Sequence, residues 1–301
     1  MEVRKIGNLE VAVVGLGCNN FGFRLDRRDS EKVVHAALGA GINFFDTSDS
    51  YGQGQSEEFL AGALGTERRN VVIGTKFATE MKGVGRGASP GYIRTAVEAS
   101  LRRLKTDYLD LYQLHRPDPE VPVADTLGAL NELVREGKVR EIGCSNFSAE
   151  QLREAEGAVM PGAARFVSVQ NEYSMFERDA EEEVLPECER LGIAFLPYYP
   201  LANGLLTGKY RRGVEMPENT RITDVQRYRE LLTNERLDMV EKWAQFAESR
   251  GHTLLDLAFA WLLRKPAVSS VIAGATSAEQ VRANAAAGGW RLDKDNEVDA
   301  L

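Results

Sequence analysis

Four side chains that can carry charge or move a proton stand at, or just beyond, the ends of three short apolar segments. The first segment, Ile42–Phe45, ends in Asp46 and is followed after a polar loop by Tyr51. The other two segments end in Lys76 and in His115. A carboxylate at the tip of a buried strand is unfavourable without a cation beside it, so we expect a cation to pair with Asp46. Groups of these types, brought together, are suited to general acid catalysis.

These side chains would lie close together if the segments that carry them are neighbouring parallel strands. In a parallel α/β barrel the carboxyl ends of all strands lie on one face, where catalytic groups collect. Along this chain, short apolar strands alternate with stretches whose apolar residues recur at helical spacing, which indicates a parallel sheet covered by helices. Predicted helices cover 30–40, 56–64, 90–104, 123–136, 149–158, 181–191, 235–250 and 254–263, and strands lie near Gly17, Ile42, Val71, Leu109, Glu141, Val167, Ile193 and 270–273.

Eight such strands are enough to close a barrel. We therefore predict an α/β fold, a (β/α)8 TIM barrel built as a single domain over residues 1–301. The alternation of residue types from Val3 to Val14, around Gly7-Asn8, predicts an N-terminal β-hairpin that plugs one end of the barrel.

A glycine pattern near the N-terminus has a second interpretation. Gly15 and Gly17 begin a Rossmann-like fingerprint, but Asn20 stands where its third glycine belongs and no helix opens there. We interpret the stretch as the first barrel strand entering a tight loop. Two insertions, 80–89 and 201–234, follow later strands and are expected to shape a substrate site.

Composition and charge exclude several classes of protein. The formal net charge of -8 argues against a nucleic-acid partner, since phosphate binding needs a basic surface. Three scattered cysteines, Cys18, Cys144 and Cys188, suit neither a disulfide framework nor a zinc site, and no metal is predicted. No hydrophobic signal segment or membrane-spanning run is found, which predicts a cytoplasmic protein without a membrane partner. The pattern leaves the oligomeric state open.

The blocks that contain these residues follow the order of the blocks in one known family. They are Phe45-Asp46-Thr47 with Tyr51-Gly52, Gly74-Thr75-Lys76, Gln113-Leu114-His115-Arg116-Pro117, Gly143-Cys144-Ser145-Asn146-Phe147, Val169-Gln170-Asn171-Glu172-Tyr173, 198–210 and 271–277. In this order they resemble the aldo-keto reductase superfamily over nearly the whole chain. The resemblance implies an NADP(H)-dependent oxidoreductase, a carbonyl reductase or alcohol dehydrogenase, that reduces a small-molecule aldehyde or ketone to an alcohol.

The resemblance also implies a catalytic role for each of four residues. Tyr51 is expected to protonate the substrate oxygen while the nicotinamide donates a hydride. Lys76 is expected to lower the pKa of Tyr51, and Asp46 to keep Lys76 charged and aimed. His115 is expected to donate a hydrogen bond to the carbonyl oxygen. Taken one at a time, the same residues could equally be a helix cap, loop packing, a surface charge or a partner for a backbone carbonyl.

Further positions match cofactor contacts of the family. Ser145, Asn146 and Gln170 match positions that hydrogen-bond the nicotinamide carboxamide, and the aromatic residue that stacks on the ring is matched by Tyr198. The run 204–209 resembles a pyrophosphate clamp of backbone N–H groups with a lysine at its end. The predicted cofactor-binding residues are Gly17, Cys18, Asn19, Ser145, Asn146, Gln170, Tyr198, Leu201, Gly204, Leu205, Gly208, Lys209, Gly274, Ser277, Gln280 and Asn284.

The segment 274–284 matches the family's site for the adenosine 2′-phosphate. Many members carry a lysine near position 274 and an arginine near position 280, where this chain has Gly274 and Gln280. Ser277 and Gln280 can still hydrogen-bond a phosphate, and Arg282 could add charge. The cofactor is therefore predicted to be NADP(H) in preference to NAD(H), with weaker discrimination than is usual in the family.

Two alternatives stay open. The β-subunits of potassium channels share these motifs, so the chain could be a cofactor-binding regulatory subunit with almost no turnover. Lys76 could instead form a Schiff base, as in a barrel lyase or aldolase. Asp46 argues against that alternative, since a carboxylate keeps a lysine protonated and non-nucleophilic.

Overall fold

Eight parallel strands form the centre of the molecule, behind a two-stranded antiparallel hairpin. The computed structural model describes residues 1–218, 220–292 and 298, so the predicted domain range 1–301 lies partly outside the described residues. The hairpin strands are β1 (Val3–Ile6) and β2 (Leu9–Ala12). The barrel strands are β3 (Val14–Gly17), β4 (Phe44–Asp46), β5 (Val72–Phe77), β6 (Leu109–Leu114), β7 (Val139–Ser145), β8 (Phe166–Glu172), β9 (Ala194–Tyr198) and β10 (Val271–Gly274).

The sheet nearly closes on itself. Its order is β10-β3-β4-β5-β6-β7-β8-β9, so the last strand of the chain pairs with the first strand of the barrel. The remaining gap, between β9 and β10, is bridged just before β10 begins. There the Phe195 N–H donates to Ala267 O at 2.7 Å and the Ser269 N–H donates to Phe195 O at 3.1 Å. A nearly closed barrel leaves few unpaired strand edges.

Helices between the strands form the outer layer. They are α1 (Arg27–Gly39), α2 (Gln55–Leu64), α3 (Pro90–Leu104), α4 (Val123–Arg135), α5 (Ala149–Gly157), α6 (Val184–Leu191), α7 (Arg221–Asp224), α8 (Gln226–Arg229), α9 (Asn234–Glu248), α10 (Leu254–Leu263) and α11 (Ala278–Ala287). Within the described part of the chain, no helix is both long enough and apolar enough to cross a membrane.

Helix α3 shows how local sequence determines these elements. The Ser89 side chain accepts a hydrogen bond from the Tyr92 N–H, and Pro90 occupies the first turn, where its missing N–H costs nothing. Ile93, Val97 and Leu101 follow at intervals of four and are buried. The cap and the apolar stripe therefore fix both where the helix begins and which face it turns toward the sheet.

The hairpin plugs the end of the barrel at which the strands begin. Ile6, Leu9 and Val11 are buried in one cluster with barrel-interior residues such as Phe44 and Leu111. Fully burying side chains of this size contributes about 1.5–3 kcal/mol each. The apolar floor of the barrel is thus completed by residues that come first in the sequence.

The predicted TIM barrel with an N-terminal hairpin is confirmed. One predicted helix, 181–191, begins later, at Val184, because Asp179–Glu181 forms a separate 3-10 turn. The backbone at Glu183, with φ of -133°, then leaves the helical region before α6 begins. The long insertion after β9 contains the 3-10 turn Ala202–Thr207 as well as α7 and α8.

Close packing of two loops requires a glycine directly after Tyr51. Gly52 has a φ of 56°, in the left-handed region. A Cβ at this position would lie 3.0 Å from Phe21 O and 3.1 Å from the Gly22 Cα. Since both neighbours are backbone atoms, neither can give way by a side-chain rotation. Gly52 is therefore required both for the left-handed backbone conformation and for the close approach of the two loops.

We predict that Gly52→Ala lowers the free energy of unfolding by about 2–5 kcal/mol, because left-handed strain adds to steric overlap. Gly192 is the matched control, since it is also left-handed, with φ of 65° and ψ of 35°, but nothing lies within 4 Å of an added Cβ. Gly192→Ala should therefore cost only about 1–2 kcal/mol. Urea unfolding measures both variants, and equal losses would contradict the close-approach argument.

Candidate active site

A buried ion pair lies at the carboxyl end of β4 and β5. The Lys76 Nζ donates to both Asp46 carboxylate oxygens at 2.7 Å and to Thr47 O at 3.0 Å. Asp46 Oδ1 also accepts from the Gln170 Nε2 at 2.9 Å and from the Gln113 Nε2 at 3.4 Å. Lys76 is fully buried and Asp46 is 3% exposed. All three ammonium hydrogens have acceptors, so Lys76 is held in its charged form and offers no lone pair to a carbonyl carbon.

Tyr51 projects from the turn that follows this pair. The Lys76 Nζ lies 5.3 Å from the centre of the Tyr51 ring, and the His115 ring centre lies 6.0 Å from it in an edge-on arrangement. Burial raises the pKa of Tyr51, and the Asp46 carboxylate raises it further. The lowering expected from Lys76 therefore does not set the net shift of this pKa, because burial disfavours the phenolate and the Asp46 carboxylate offsets the charge of the ammonium.

His115 is neutral at physiological pH. Burial, followed by the charges of Lys76 and Arg116, lowers the pKa of its imidazole to about 3. Its Nδ1 lies 3.3 Å from Ser48 Oγ, and the Asn146 Nδ2 donates to the His115 carbonyl oxygen at 2.9 Å. A neutral imidazole has one donor nitrogen and one acceptor nitrogen, so its tautomer decides what it can bind.

One cavity of about 1070 Å³ joins these groups to the remote end of the barrel mouth. The predicted residues that line it are Gly17, Asn19, Asp46, Tyr51, His115, Ser145, Asn146, Gln170, Tyr198, Leu201, Gly204, Lys209, Gly274, Ser277, Gln280 and Asn284. Four predicted residues are not among the lining residues: Lys76, Cys18, Leu205 and Gly208. Lys76 reaches the cavity only through Asp46, and Cys18 and Leu205 are fully buried in the core.

Polar side chains at the ends of β7, β8 and β9 are fixed by one another. The Ser145 Oγ donates to Gln170 O at 2.6 Å, and the Asn146 Nδ2 donates to Ser145 Oγ at 3.1 Å. The Tyr198 hydroxyl donates to Asn146 Oδ1 at 2.8 Å. These bonds hold the side chains in set orientations, as recognition of a planar amide would require.

The turn Ala202–Thr207 is strained and polar. Ala202, Asn203 and Gly204 have φ values of 45°, 58° and 106°, a run of left-handed residues of which only one is glycine. The Asn203 Oδ1 is buried and has no hydrogen-bond partner among the described residues. Strain of this kind persists where surrounding structure enforces it, and it collects at ligand sites.

Cations gather beside this turn. Burial, with the charges of Arg24 and Arg221, lowers the pKa of Lys209. Arg24 pairs with Asp224 at 2.7 Å. Among the described residues no carboxylate lies within ion-pairing distance of Lys209, which lines the cavity. The arrangement suits an anionic group.

Arg221 is a cavity-lining residue that the sequence reasoning missed. It lies on α7, inside the insertion that was treated as one loop, and its Nη2 donates to Asn20 Oδ1 at 3.1 Å. Its guanidinium lies 5.8 Å from the centre of the Tyr199 ring. The Thr220 hydroxyl that caps α7 was the available signal, since a threonine with an acceptor three residues on indicates a helix start.

The beginning of α11 forms the far end of the cavity. The Ser277 Oγ caps the helix by accepting from the Gln280 N–H at 3.3 Å. The Gln280 Oε1 accepts from the Thr276 N–H at 2.8 Å, which leaves its Nε2 as the donor on a residue that lines the cavity. Glu279 also lines the cavity, whereas Arg282 is exposed and does not. The position of Arg282 therefore gives no support to the expectation that it adds positive charge beside the 2′-phosphate.

Metal ligation is not a feature of the described residues. No group of three or more His, Cys, Asp or Glu side chains there is arranged to hold an ion. Cys18, Cys144 and Cys188 are buried free thiols.

The chain is similar to known proteins along almost its whole length. The Aldo/keto reductase family model matches residues 13–300. The aldo-keto reductase YhdN of Bacillus subtilis (strain 168) is 35% identical over 310 aligned positions, covering 99% of this chain and 92% of that protein. A probable voltage-gated potassium channel subunit beta of Arabidopsis thaliana is 36% identical over 301 positions, covering 94% of this chain and 90% of that protein.

Similarity extends to solved structures. A glycerol dehydrogenase from Gluconobacter oxydans superposes with a TM-score of 0.84 at 29% identity. The superposition covers 97% of this chain and 92% of that one. The shared fold therefore includes the strands and helices that line the cavity.

We predict that Lys76→Met lowers the free energy of unfolding by about 3–5 kcal/mol, because it leaves Asp46 buried and unpaired. The double variant Lys76→Met/Asp46→Asn removes both charges and should recover at least half of that loss. Lys32, which pairs with Asp29 on the surface, provides the same substitution as a control, and Lys32→Met should cost less than about 1 kcal/mol. Denaturant titration measures the free energy of unfolding of all three variants. A Lys76→Met variant as stable as the parent would contradict the ion-pair account.

Proposed function

This chain belongs to the aldo/keto reductase family of oxidoreductases, and from that premise we propose that it reduces an aldehyde or ketone to an alcohol with NADP(H). The observation that carries the proposal is that one cavity joins Asp46, Tyr51 and His115 to the beginning of α11. A dinucleotide lying along this cavity would have its reactive ring beside the proton-transfer groups. We further propose that the whole chain acts as a single domain.

The proton is assigned to Tyr51. Because its pKa is raised, Tyr51 keeps its proton at neutral pH and yields it to a strong base, such as the alkoxide that develops at a reduced carbonyl. The cofactor, when bound, supplies the hydride. The Lys76 ammonium, 5.3 Å from the phenol ring centre, stabilises the phenolate that remains. Asp46 keeps that ammonium charged and in place.

His115 is assigned to the substrate oxygen. Its low pKa, about 3, keeps the ring neutral, so it acts as a hydrogen-bond donor and not as an acid that competes with Tyr51. A donor fixed beside a developing alkoxide stabilises the negative charge of the transition state. Proton transfer and charge stabilisation are thus divided between two residues.

The nicotinamide end of the cofactor is assigned to the polar residues at the strand ends. Ser145, Asn146 and Gln170 would hold the carboxamide, since they combine donors and acceptors in fixed orientations. Tyr198 would cover the ring. The carboxamide fits these groups because it, too, offers one acceptor oxygen and two donor hydrogens.

The phosphates are assigned to the cationic end of the cavity. The positive charges of Lys209 and Arg221 would attract the pyrophosphate, and the unpartnered Asn203 Oδ1 would accept a hydrogen bond from a ribose hydroxyl. Ser277 and Gln280 would donate to the 2′-phosphate of NADP(H). The Glu279 carboxylate also lines the cavity and would repel that phosphate. This repulsion would limit the preference for NADP(H) over NAD(H).

A second candidate function rests on the similarity to a probable potassium channel subunit beta. In that case the chain would bind the cofactor and regulate a partner, with almost no turnover. Loss of NADPH absorbance with a panel of aldehydes, ketones and sugars separates the two. Steady-state turnover supports the reductase, and a single burst without turnover supports the regulatory subunit.

We predict that Tyr51→Phe reduces carbonyl turnover by at least about 100-fold, in line with general acid catalysis, while cofactor affinity stays close to that of the parent. Removing the hydroxyl removes only the proton that the transition state needs. Stopped-flow single turnover and cofactor fluorescence titration measure the two quantities. Retention of more than about a tenth of the activity would sink the assignment of Tyr51 as the acid.

We predict that NADPH binds more tightly than NADH by about 1–3 kcal/mol, as one or two charge-assisted hydrogen bonds would give. Gln280→Glu should invert the order, because it replaces the Nε2 donor with a negative oxygen yet keeps the acceptor for Thr276. Arg282→Gln is the matched control, since it makes the same change of charge on the exposed side of α11. Fluorescence titration with both cofactors gives the ratios. An unchanged ratio in Gln280→Glu, or an inverted one in Arg282→Gln, would contradict the assignment.

A further inference from the structure

A carboxylate without an assigned role lies between the ion pair and His115. Asp49 is 2% exposed, and its N–H donates to Lys76 O at 3.2 Å. No ammonium or guanidinium lies within ion-pairing distance of Asp49 among the described residues. Its side chain accepts instead from the Ser48 hydroxyl at 3.2 Å. A buried carboxylate that is hydrogen-bonded but not ion-paired is unusual, because burial penalises its charge.

Ser48 connects this carboxylate to the imidazole. The Ser48 Oγ lies 3.2 Å from Asp49 Oδ1 and 3.3 Å from His115 Nδ1. It also lies 3.0 Å from the Ser50 Oγ. A hydroxyl has one hydrogen, so Ser48 can donate to only one of Asp49, His115 and Ser50 at a time.

The protonation state of Asp49 changes which of these arrangements is possible. An ionised Asp49 only accepts, so it competes for the Ser48 hydrogen. When Asp49 takes that hydrogen, a hydrogen bond between His115 and Ser48 needs the imidazole hydrogen on Nδ1. A protonated Asp49 can donate to Ser48, whose hydrogen is then free to point at Nδ1. In that second arrangement the imidazole hydrogen lies on Nε2, the nitrogen that does not face Ser48.

We propose that Asp49, acting through Ser48, is a positioning residue that sets which ring nitrogen of His115 carries the hydrogen. With Asp49 protonated, Nε2 is a donor and can bind a carbonyl oxygen. With Asp49 ionised, Nε2 is an acceptor and can bind the hydroxyl of an alcohol. This inference rests on the proposed function for its catalytic consequence, whereas the coupling between the three side chains does not.

The charges around Asp49 favour titration in the neutral range. Burial and the Glu57 carboxylate raise the pKa of Asp49 to about 7, against smaller lowering effects of Ser48, Arg103 and the Ser50 N–H. Glu57 on α2 is itself paired with Arg103 on α3 at 2.6 Å. The other titratable groups near Asp49 are Tyr51 on its own loop, Lys76 on β5, Tyr112 on β6, Tyr92 on α3, and His115.

His115 itself does not titrate in that range. Its pKa of about 3 is set by burial and by Lys76 and Arg116. Any change in its hydrogen-bonding near pH 7 must therefore come from a neighbour. The sign follows directly: reduction of a carbonyl should fall as the pH rises through about 7, because the fraction of protonated Asp49 falls.

The first test is the pH profile of carbonyl reduction in the full chain. For the parent we expect kcat/KM to fall about tenfold between pH 6 and pH 9, as the loss of one hydrogen bond to the carbonyl oxygen would give. Asp49→Asn should show the high plateau at every pH, because an amide N–H₂ donates to Ser48 as a protonated carboxyl does. Asp29→Asn makes the same change at a surface carboxylate of α1 and should keep the parental inflection. An inflection near pH 7 that survives Asp49→Asn would overturn the proposal.

The second test needs no turnover. With ¹⁵N-labelled histidine, NMR distinguishes the two neutral tautomers directly, and His115→Gln identifies the signals of His115 among the three histidines. The parent should carry the hydrogen on Nε2 below about pH 7 and on Nδ1 above it. Asp49→Asn should stay in the Nε2 form, and Ser48→Ala should lose the pH response. If the tautomer of the parent does not change between pH 6 and pH 9, the coupling is wrong.

The two tests separate this inference from the proposed function. A chain that reduces no carbonyl but shows the tautomer change refutes the reductase and supports the coupling. If the chain reduces carbonyls but Asp49→Asn does not change the tautomer of His115, the reductase is supported and the coupling is overturned.

Discussion

The buried ion pair of Lys76 and Asp46 constrains everything around it. Two charges removed from water are tolerated only if their remaining hydrogens and lone pairs are also satisfied. Here Thr47, Gln170 and Gln113 complete the shell around the pair. These partners come from the residue after β4 and from β6 and β8, so strands far apart in sequence must keep a common register. The same requirement fixes the start of the loop that leads to Tyr51.

The charge of the side chains that line the cavity differs from one part of it to another. Near the ion pair, burial moves the pKa of Tyr51 upward and that of His115 downward, so both side chains are neutral at physiological pH. Elsewhere in the cavity, Lys209 and Arg221 add positive charge, and Glu218 and Glu279 add negative charge. The two cations suit an anionic group on a ligand, and the two carboxylates limit how strongly charge alone would attract it.

Much of this arrangement can be predicted from the sequence, and there are physical reasons why the rest cannot. The strand tips at Asp46 and Lys76 are visible as apolar runs that end in charge, and the alternation of elements predicts the barrel. The position of Arg221 is not visible, since it depends on the path of a long insertion that packs back over the mouth. The direction of the Tyr51 pKa is hidden too, because a motif shows which charges are near but not how deeply they are buried. The contact between Ser48 and His115 joins loops whose spacing no local pattern encodes.

The position of the hairpin determines which face of the molecule could be attached to a solid support. Ile6, Leu9 and Val11 pack beneath the strands, whereas Val3 of the same hairpin is exposed. The cavity opens at the opposite end, where the strands finish. A protein held to a bead or an electrode through a cysteine introduced at Val3 would therefore present the mouth of its cavity to the solution. Attachment at the hairpin leaves the entrance of the cavity clear.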